Sequence, residues 1–217
     1  AEAADTVRLA QNLSPISGVV IVAKQKGFFD KHGLNVEVSN FTSGKKALDA
    51  VLGGGGDIAT TAEAPTTAAA LSNQPIAFLA RIEYSDLKTL PRKEAGITTL
   101  ADLKGKKIGF TAGTGGEVYT TNLLKKAGLT ASDVELTNIP PHGLAAALTA
   151  GSIDAYNTWE PHIFNGKKAL GEAAQELDTK GIYSETFNLV AHQDYLAKNK
   201  DAVERFLKAA IDAEAWI

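Results

Sequence analysis

The stretch Asp57–Glu63, DIATTAE, recurs as DAYNTWE at Asp154–Glu160, 97 residues further along the chain. Each copy closes a series of strand-like and helix-like segments that follow one another in the same order. In the first half the segments are 7–12, 19–26, 35–38, 45–52 and 57–61, and in the second half they are 106–110, 117–127, 133–136, 144–150 and 153–156. Both halves therefore predict the order β-α-β-α-β.

This alternation predicts the fold class. Parallel strands need long, usually helical, crossover connections, and each half supplies them. We therefore expect an α/β protein of two similar lobes with mainly parallel sheets and one ligand cleft between them. The sequence Thr99–Asp102, TLAD, also resembles a capping box with Asp in place of Glu, and predicts a short helix that ends at Gly105.

The crossover points predict that the first lobe is discontinuous. Residues 76–82 predict a strand and residues 83–96 a polar connecting segment, so we expect the chain to leave the first lobe there. A strand at 187–191 and a helix from about residue 200 bring it back. The predicted first lobe is residues 1–84 with 186–217, and the second is residues 85–185.

Composition narrows the classes of function. With 44% hydrophobic and 22% charged residues, and no apolar run near the roughly 20 residues that a membrane span needs, the sequence predicts a soluble globular protein. A net charge of −3 and scattered lysines do not favour nucleic acid. The absence of cysteine excludes disulfides, thiolate metal sites and cysteine catalysis. The opening AEAAD without Met favours export after signal-peptide cleavage, although a trimmed chain would look the same.

Three segments carry a resemblance to a known family: AKQKGFFDKHGL at 23–34, DLKGKKIG at 102–109, and AGSIDA at 150–155 followed by WEP at 159–161. They resemble the substrate-binding proteins of ABC importers, in the branch for sulfonates, taurine and nitrate that also includes proteins related to thiamine-pyrimidine precursor binding. The resemblance implies the type II periplasmic-binding-protein fold. Family members continue past residue 217 with helices that pack on the first lobe, so we expect such C-terminal helices to be missing here.

The resemblance also implies a function without turnover. We expect a monomeric receptor, periplasmic or otherwise extracytoplasmic, that binds a small organic anion or zwitterion by hinge closure and presents it to a membrane permease. Whether a lipid anchor precedes Ala1 stays open. One alternative is an enzyme like the thiamine-pyrimidine synthases, whose cysteine-rich motif this chain lacks; another is a sensory module with the same cleft and a different partner.

Ligands of open parallel sheets bind beyond the carboxyl ends of the strands, so the loops there hold the candidate residues. The turn 111–117, TAGTGGE, offers glycines that let a ligand approach the backbone, together with a helix N-terminus that favours an anion. The alternative is an ordinary threonine-capped turn. The candidates are Thr111, Thr114, Gly115 and Gly116 in this turn, Asn12, Ser14, Thr61 and Glu63 in the first lobe, and Asn157, Trp159 and Glu160 in the second.

Two further features of these loops leave alternatives open. Glu63, Glu117 and Glu160 would repel a bare anion, so they either pair with an amino group on the ligand or stabilise their own helix N-termini. Trp159 is either a ligand wall or a core residue, and its loop position favours the wall. The four histidines are dispersed, with no two at metal-ligand spacing, so neither a metal nor a cofactor is expected.

Overall fold

The computed structural model describes residues 4–217, which form two compact units. Unit 1 comprises the chain up to Tyr84 together with Thr186–Ile217, and unit 2 comprises Ser85–Glu185. Each unit is built on its own sheet and has its own core. That the two lobes are separate domains stays a prediction. None of the helices within residues 4–217 combines the length and the apolar character needed to cross a membrane.

Unit 1 is built on a five-stranded sheet of mixed direction. Its strands are β1 (Asp5–Asn12), β2 (Leu34–Phe41), β3 (Ile58–Ala62), β4 (Ile76–Asp86) and β9 (Ser184–His192), in the order β2-β1-β3-β9-β4. Strand β1 runs parallel to β2 and β3, whereas β9 runs antiparallel to β3. The helices are α1 (Gly18–Gln25), α2 (Phe28–Lys31), α3 (Gly44–Leu52), α4 (Glu63–Leu71), α8 (Gln193–Lys198) and α9 (Lys200–Trp216).

The core of unit 1 lies on both faces of this sheet, because successive residues of a strand point to opposite faces. Val7 and Leu9 of β1 belong to one buried cluster with Phe29 of α2 and Phe206 of α9. Ala10, the next residue of β1, belongs to a second cluster that includes residues of α3 and α4. The predicted β-α-β-α-β order of the first half is therefore observed, with helices packed on each side of β1.

Unit 2 is built on a four-stranded sheet. Its strands are β5 (Lys88–Pro91), β6 (Lys107–Phe110), β7 (Glu135–Asn138) and β8 (Ala155–Thr158), in the order β5-β8-β6-β7. Strand β6 runs parallel to β7 and β8, and β5 runs antiparallel to β8. The helices are α5 (Gly115–Lys126), α6 (Leu144–Thr149) and α7 (His162–Leu170). Both sheets are thus mainly parallel, as the fold-class prediction requires.

Two sequence expectations about unit 2 are wrong in detail. The segment 83–96 is not simply polar connecting chain: it contains β5, in which Leu90 is fully buried and pairs with Tyr156 of β8. A four-residue strand that ends in proline carries little local signal, and its partner lies far along the chain. The strand expected at 133–136 begins two residues later, because Ala131–Asp133 form a 3₁₀ turn.

The predicted capping box at Thr99 is confirmed. The Thr99 side chain accepts a hydrogen bond from the Asp102 backbone, while Asp102 Oδ2 accepts one from the Thr99 N–H at 2.8 Å and one from the Thr98 N–H at 3.1 Å. A 3₁₀ helix over Leu100–Leu103 follows. These hydrogen bonds, first those from Thr99 and then those from Thr98, lower the pKa of Asp102 below its ordinary value of 3.8.

The lowered pKa of Asp102 predicts a pH-dependent contribution to stability. A carboxyl whose folded pKa is depressed stabilises the fold above its unfolded pKa, and this stabilisation is lost as the pH falls through the folded pKa. We expect Asp102→Asn to be destabilising at pH 7 and to make the unfolding free energy fall less between about pH 5 and pH 2. Urea denaturation across this range measures both effects. Glu172→Gln, at an exposed site, is the control, and equal pH curves for Asp102→Asn and wild type would contradict the prediction.

Candidate functional site

In unit 1, the candidates Asn12 and Ser14 lie where β1 ends and are almost completely buried. The backbone N–H of Asn12 donates to Thr60 Oγ1 at 2.9 Å, and its carbonyl accepts from Ser17 Oγ at 2.7 Å. Ser17 and Thr60 also hydrogen-bond to each other at 2.9 Å. The end of β1 is therefore locked to the neighbouring strand β3 by a buried set of hydroxyl groups.

The candidate Thr61 of β3 lies opposite Asn188 of β9 in the antiparallel pair. Both side chains are buried, and within residues 4–217 neither Thr61 Oγ1 nor Asn188 Oδ1 has a hydrogen-bond partner. Helix α3 begins beside them, since a Cβ at Gly44 would lie 2.9 Å from Thr61 Cα. Two unsatisfied polar atoms therefore lie near a helix N-terminus at this edge of the sheet. An unsatisfied buried polar atom is costly, so a water or a ligand that hydrogen-bonds to it would be stabilising.

The candidate Glu63 opens α4 and is held by unit 1 itself. Its Oε2 accepts hydrogen bonds from the Thr186 backbone N–H and, at 2.6 Å, from Thr186 Oγ1. Thr186 Oγ1 in turn accepts from Asn188 Nδ2 at 3.2 Å. This carboxylate therefore orders the start of β9 next to Asn188. The predicted pairing of Glu63 with a ligand amino group stays a prediction.

In unit 2, the turn 111–117 adopts the threonine-capped form that the sequence left as an alternative. Thr114 is the N-cap of α5: its Oγ1 accepts from the Gly116 N–H at 3.1 Å and donates to the Thr111 carbonyl at 2.7 Å. Thr111 Oγ1 donates to the Ile139 carbonyl at 2.7 Å. The single hydrogen of each hydroxyl is thus used within the chain, so in this arrangement each threonine can only accept from a ligand. Their predicted contact with a ligand stays untested.

Steric contacts explain why glycine occupies positions 115 and 116 of this turn. A Cβ at Gly115 would overlap Oε2 of Glu185 and lie 3.0 Å from its Cδ. A Cβ at Gly116 would lie 3.2 Å from Thr114 Oγ1 and 3.6 Å from the Trp159 ring. The start of α5 is therefore in close contact with the carboxylate of Glu185 and with the indole ring of Trp159.

The candidate Asn157 of β8 is fully buried in a polar network. Its Oδ1 accepts from Thr89 Oγ1 at 2.7 Å, and its Nδ2 donates to Thr120 Oγ1 at 2.9 Å. Thr89 is also hydrogen-bonded to the Tyr119 hydroxyl at 2.9 Å, and burial raises the pKa of Tyr119. This geometry favours a supporting role, in which Asn157 connects β5, β8 and α5. Its predicted direct contact with a ligand stays a prediction.

The residues after Asn157 carry unsatisfied polar atoms. Thr158 and the candidate Trp159 are 0% and 4% exposed, and within residues 4–217 neither Thr158 Oγ1 nor Trp159 Nε1 has a hydrogen-bond partner. The Trp159 ring packs edge-on against His162 with the ring centroids 5.9 Å apart. Burial lowers the pKa of His162, so this neighbour is neutral near pH 7. Trp159 is thus both a core residue and the donor of a free indole N–H.

The candidate Glu160 stabilises the start of α7. Its Oε2 accepts from the Phe164 N–H at 2.9 Å, so this carboxylate, which lies just before α7, satisfies one of the free N–H groups at the helix start. Lys88 Nζ lies 4.0 Å from its other oxygen, and both side chains are substantially exposed. The local contacts favour the helix-stabilising interpretation. Within residues 4–217, no group of three or more histidine, aspartate or glutamate side chains could hold a metal ion.

Sequence reasoning missed Thr158, Glu185, Asn188 and the turn at Ser43 and Gly44. The last had a detectable signal, because a Ser-Gly pair between a predicted strand and a predicted helix is typical of an N-cap, and Ser43 Oγ does accept from the Lys46 N–H at 3.2 Å. Glu185 and Asn188 had no local signal, since only the placement of β9 brings Asn188 opposite Thr61 and Glu185 next to Gly115.

Comparisons with known proteins show first the fold class and then the family. The chain has the periplasmic binding protein fold. The alkanesulfonate-binding protein SsuA of Xanthomonas axonopodis, solved with MOPS bound, superposes on it with a TM-score of 0.84 at 21% identity, and the superposition covers 98% of this chain and 74% of that one. The nitrate-binding protein NrtA of Synechocystis superposes with a TM-score of 0.80 at 20% identity, over 98% of this chain and 62% of that one. The family profile described as "NMT1/THI5 like" matches residues 14–217, so the chain belongs to that family.

Curated relatives are longer than this chain. A binding protein of Brucella abortus is 28% identical over 201 residues, which cover 91% of this chain and 62% of that protein. The taurine-binding periplasmic protein of Escherichia coli is 27% identical over 190 residues, which cover 86% of this chain and 59% of that protein. The chain thus spans about three fifths of the length of these relatives.

Proposed function

We propose that this chain is the binding portion of an extracytoplasmic receptor for a small organic anion or zwitterion, in the service of an ABC importer. The ligand class includes alkanesulfonates, taurine and nitrate-like solutes. Binding without turnover is the activity, and the partner is a membrane permease. The hinge closure of two lobes that the sequence led us to expect stays a prediction, as do the monomeric state and any lipid anchor.

One observation carries the proposal. Among residues 4–217, each unit has buried polar side-chain atoms without a hydrogen-bond partner at or next to the end of an inner strand: Thr61 of β3 with the facing Asn188 in unit 1, and Thr158 of β8 with the following Trp159 in unit 2. Buried polar groups in folded proteins are almost always hydrogen-bonded. Because Thr61 and Thr158 occupy equivalent positions of the repeat, 97 residues apart, their lack of a partner favours a ligand as the missing group. Hydroxyl and indole donors suit the oxygens of a sulfonate, carboxylate or nitrate.

The relatives support the same class. Proteins named for binding taurine, aliphatic sulfonates and nitrate share the fold or the sequence of this chain. A desulfurization enzyme also superposes, with a TM-score of 0.65 at 17% identity, so the fold alone does not exclude catalysis. The enzyme alternative that the sequence raised depends on a cysteine-rich motif, and this chain has no cysteine. A sensory receptor would use the same site and differ only in its partner.

The proposal is tested first by measuring binding to the 217-residue chain. Taurine, ethanesulfonate, nitrate and small carboxylates are titrated by calorimetry, and the melting temperature is measured with and without each, since a ligand that binds only the native state raises it. We expect at least one of these solutes to bind and to be recovered unchanged. If none binds, the proposed ligand class is wrong.

Trp159→Phe tests the indole donor directly. We expect it to weaken binding of the identified anion by roughly 10-fold, because one hydrogen bond to a charged group is lost. The unfolding free energy should stay within about 1 kcal/mol of wild type, since the smaller ring costs packing but the variant no longer buries an unsatisfied N–H. Trp216→Phe is the matched control, because this second tryptophan is 55% exposed in α9. Equal affinity in both variants would exclude the indole as a ligand contact.

A further inference from the structure

His162 is a titratable side chain in contact with the indole ring of Trp159. It is the first residue of α7, and the two ring centroids are 5.9 Å apart in an edge-on arrangement. Backbone hydrogen bonds hold this residue in place: its N–H donates to the Trp159 carbonyl at 3.1 Å, and its carbonyl accepts from the Tyr156 hydroxyl at 2.6 Å. The imidazole therefore has a defined position beside the indole whose N–H we propose as a ligand contact, and the proposed function assigns it no role.

The surroundings of His162 leave its imidazole neutral near pH 7. Burial lowers its pKa most, the nearby His142 lowers the pKa further, and the carboxylate of Glu160 raises it. Three elements pack against α7: helix α6, whose sequence LAAALT has no charge, the turn 171–173 with Glu172, and β5 with Lys88. Lys88 Nζ lies 4.0 Å from Glu160 Oε1. A further negative charge close to the ring would therefore shift the balance toward the imidazolium form.

An anion that binds to the indole N–H of Trp159 would supply that negative charge. Trp159 is 4% exposed, and its Nε1–H has no hydrogen-bond partner within residues 4–217. Indole and hydroxyl donors are neutral, so they leave the charge of a bound anion uncompensated. Because the indole is buried, charges beside it interact more strongly than they would in bulk water. The anion and a protonated His162 would therefore stabilise each other.

We propose that anion binding is coupled to protonation of His162, which makes this histidine a residue that sets the affinity of the site. This inference rests on the proposed function and adds a regulation of the same site by pH. The complex takes up a proton that the free protein lacks at neutral pH, and by linkage the imidazolium strengthens anion binding by the same factor. The affinity therefore rises as the pH falls, until the pH lies below the pKa of His162 in the free protein.

Calorimetry of the 217-residue chain at several pH values tests the inference. Ethanesulfonate, taurine and nitrate are the probes, because they keep their charge between about pH 5 and pH 8, the range in which an imidazole titrates. We expect the wild-type dissociation constant to fall by roughly 10-fold from about pH 8 to pH 5, since the anion raises the pKa of His162 by about one. Titrations at about pH 6.5 in two buffers with different heats of ionisation should show proton uptake. In His162→Gln, we expect the change to fall below about 2-fold and the proton uptake to disappear.

His142→Gln is the matched control, because His142 is an exposed histidine of the same unit, and this variant should keep the pH dependence. Lys88 stays charged over the whole range, so it adds equally to the affinity at each pH. A merely structural role of His162 would weaken binding in His162→Gln equally at every pH and leave the wild-type slope, which would overturn the inference. Loss of the slope in His142→Gln alone would also overturn it.

The wild-type protein alone separates this inference from the proposed function. A wild-type affinity that does not change with pH would overturn the coupling while leaving the proposed function intact, and this comparison does not depend on any variant being folded. Failure of wild type to bind any of the proposed solutes at any pH would contradict the proposed function itself, and the coupling with it.

Discussion

Phe206→Ala should lower the unfolding free energy of unit 1 by about 4 kcal/mol, because truncating a buried phenylalanine removes its packing and leaves a cavity. Phe206 is fully buried in α9, and its ring lies 4.7 Å from that of Phe29, centroid to centroid. The pair connects α2 and α9 with the cluster that contains Val7 and Leu9 of β1. Its loss therefore weakens the contact of two helices with the sheet at once.

Urea denaturation followed by tryptophan fluorescence measures this effect. Trp216 reports on unit 1 and Trp159 on unit 2, so the two Trp→Phe variants serve as backgrounds that separate the transitions of the units. Phe164→Ala is the control: it is also a helical phenylalanine, but it is 62% exposed and should change the unfolding free energy by less than about 0.5 kcal/mol. A change below about 1 kcal/mol for Phe206→Ala would contradict the packing described here.

Gly166→Ala should lower the unfolding free energy of unit 2 by about 3 kcal/mol, although alanine is the better helix former. Gly166 is buried in α7, and a Cβ there would overlap the Tyr156 hydroxyl and lie 2.6 Å from Leu90 Cδ2. The Tyr156 hydroxyl cannot simply move, because it donates to the His162 carbonyl at 2.6 Å. Burial raises the pKa of this tyrosine, so the hydroxyl keeps its proton as a donor at neutral pH.

The neighbouring substitution Asn165→Ala is the control for Gly166→Ala. Asn165 is exposed in the same helix, so the alanine there should be neutral or slightly stabilising. Thermal denaturation of the two variants, followed through Trp159, compares them directly. If Gly166→Ala melted at the same temperature as Asn165→Ala, the close approach of α7 to β5 and β8 would be wrong.

Much of the architecture was predictable because short stretches of sequence carry the signals for its strands, helices and helix ends. The strands of the two halves alternate with helices whose ends are marked by glycine, and the box at Thr99 and Asp102 has its own sequence signature. Strand β5 was missed because its burial comes from pairing with β8, and Leu90 contacts residues far along the chain. Tertiary contacts of this kind leave little trace in a four-residue window.

The sequence allowed a candidate site to be proposed, but not the contacts that its side chains make. The carboxyl ends of the strands and the glycine turn before α5 follow from the fold class and from composition. The hydroxyls of Thr111 and Thr114 donate to backbone carbonyls within the chain, and no sequence pattern predicts these acceptors. Glu185 and Asn188 come from a strand that joins the sheet of unit 1 in antiparallel direction, so no motif near Gly115 or Thr61 could point to them.

The position of β9 also has a consequence for the order in which the chain folds. Strand β9 lies between β3 and β4 in the sheet, and Thr186 bonds to Glu63, 123 residues earlier. Unit 2 is one continuous segment, so all of its strands emerge from the ribosome before β9 is complete. During synthesis unit 2 can therefore fold first. Until β9 is synthesised, the edges of β3 and β4 that pair with it stay unpaired. A chaperone that covers exposed strand edges before β9 is synthesised would therefore act mainly on residues 4–84.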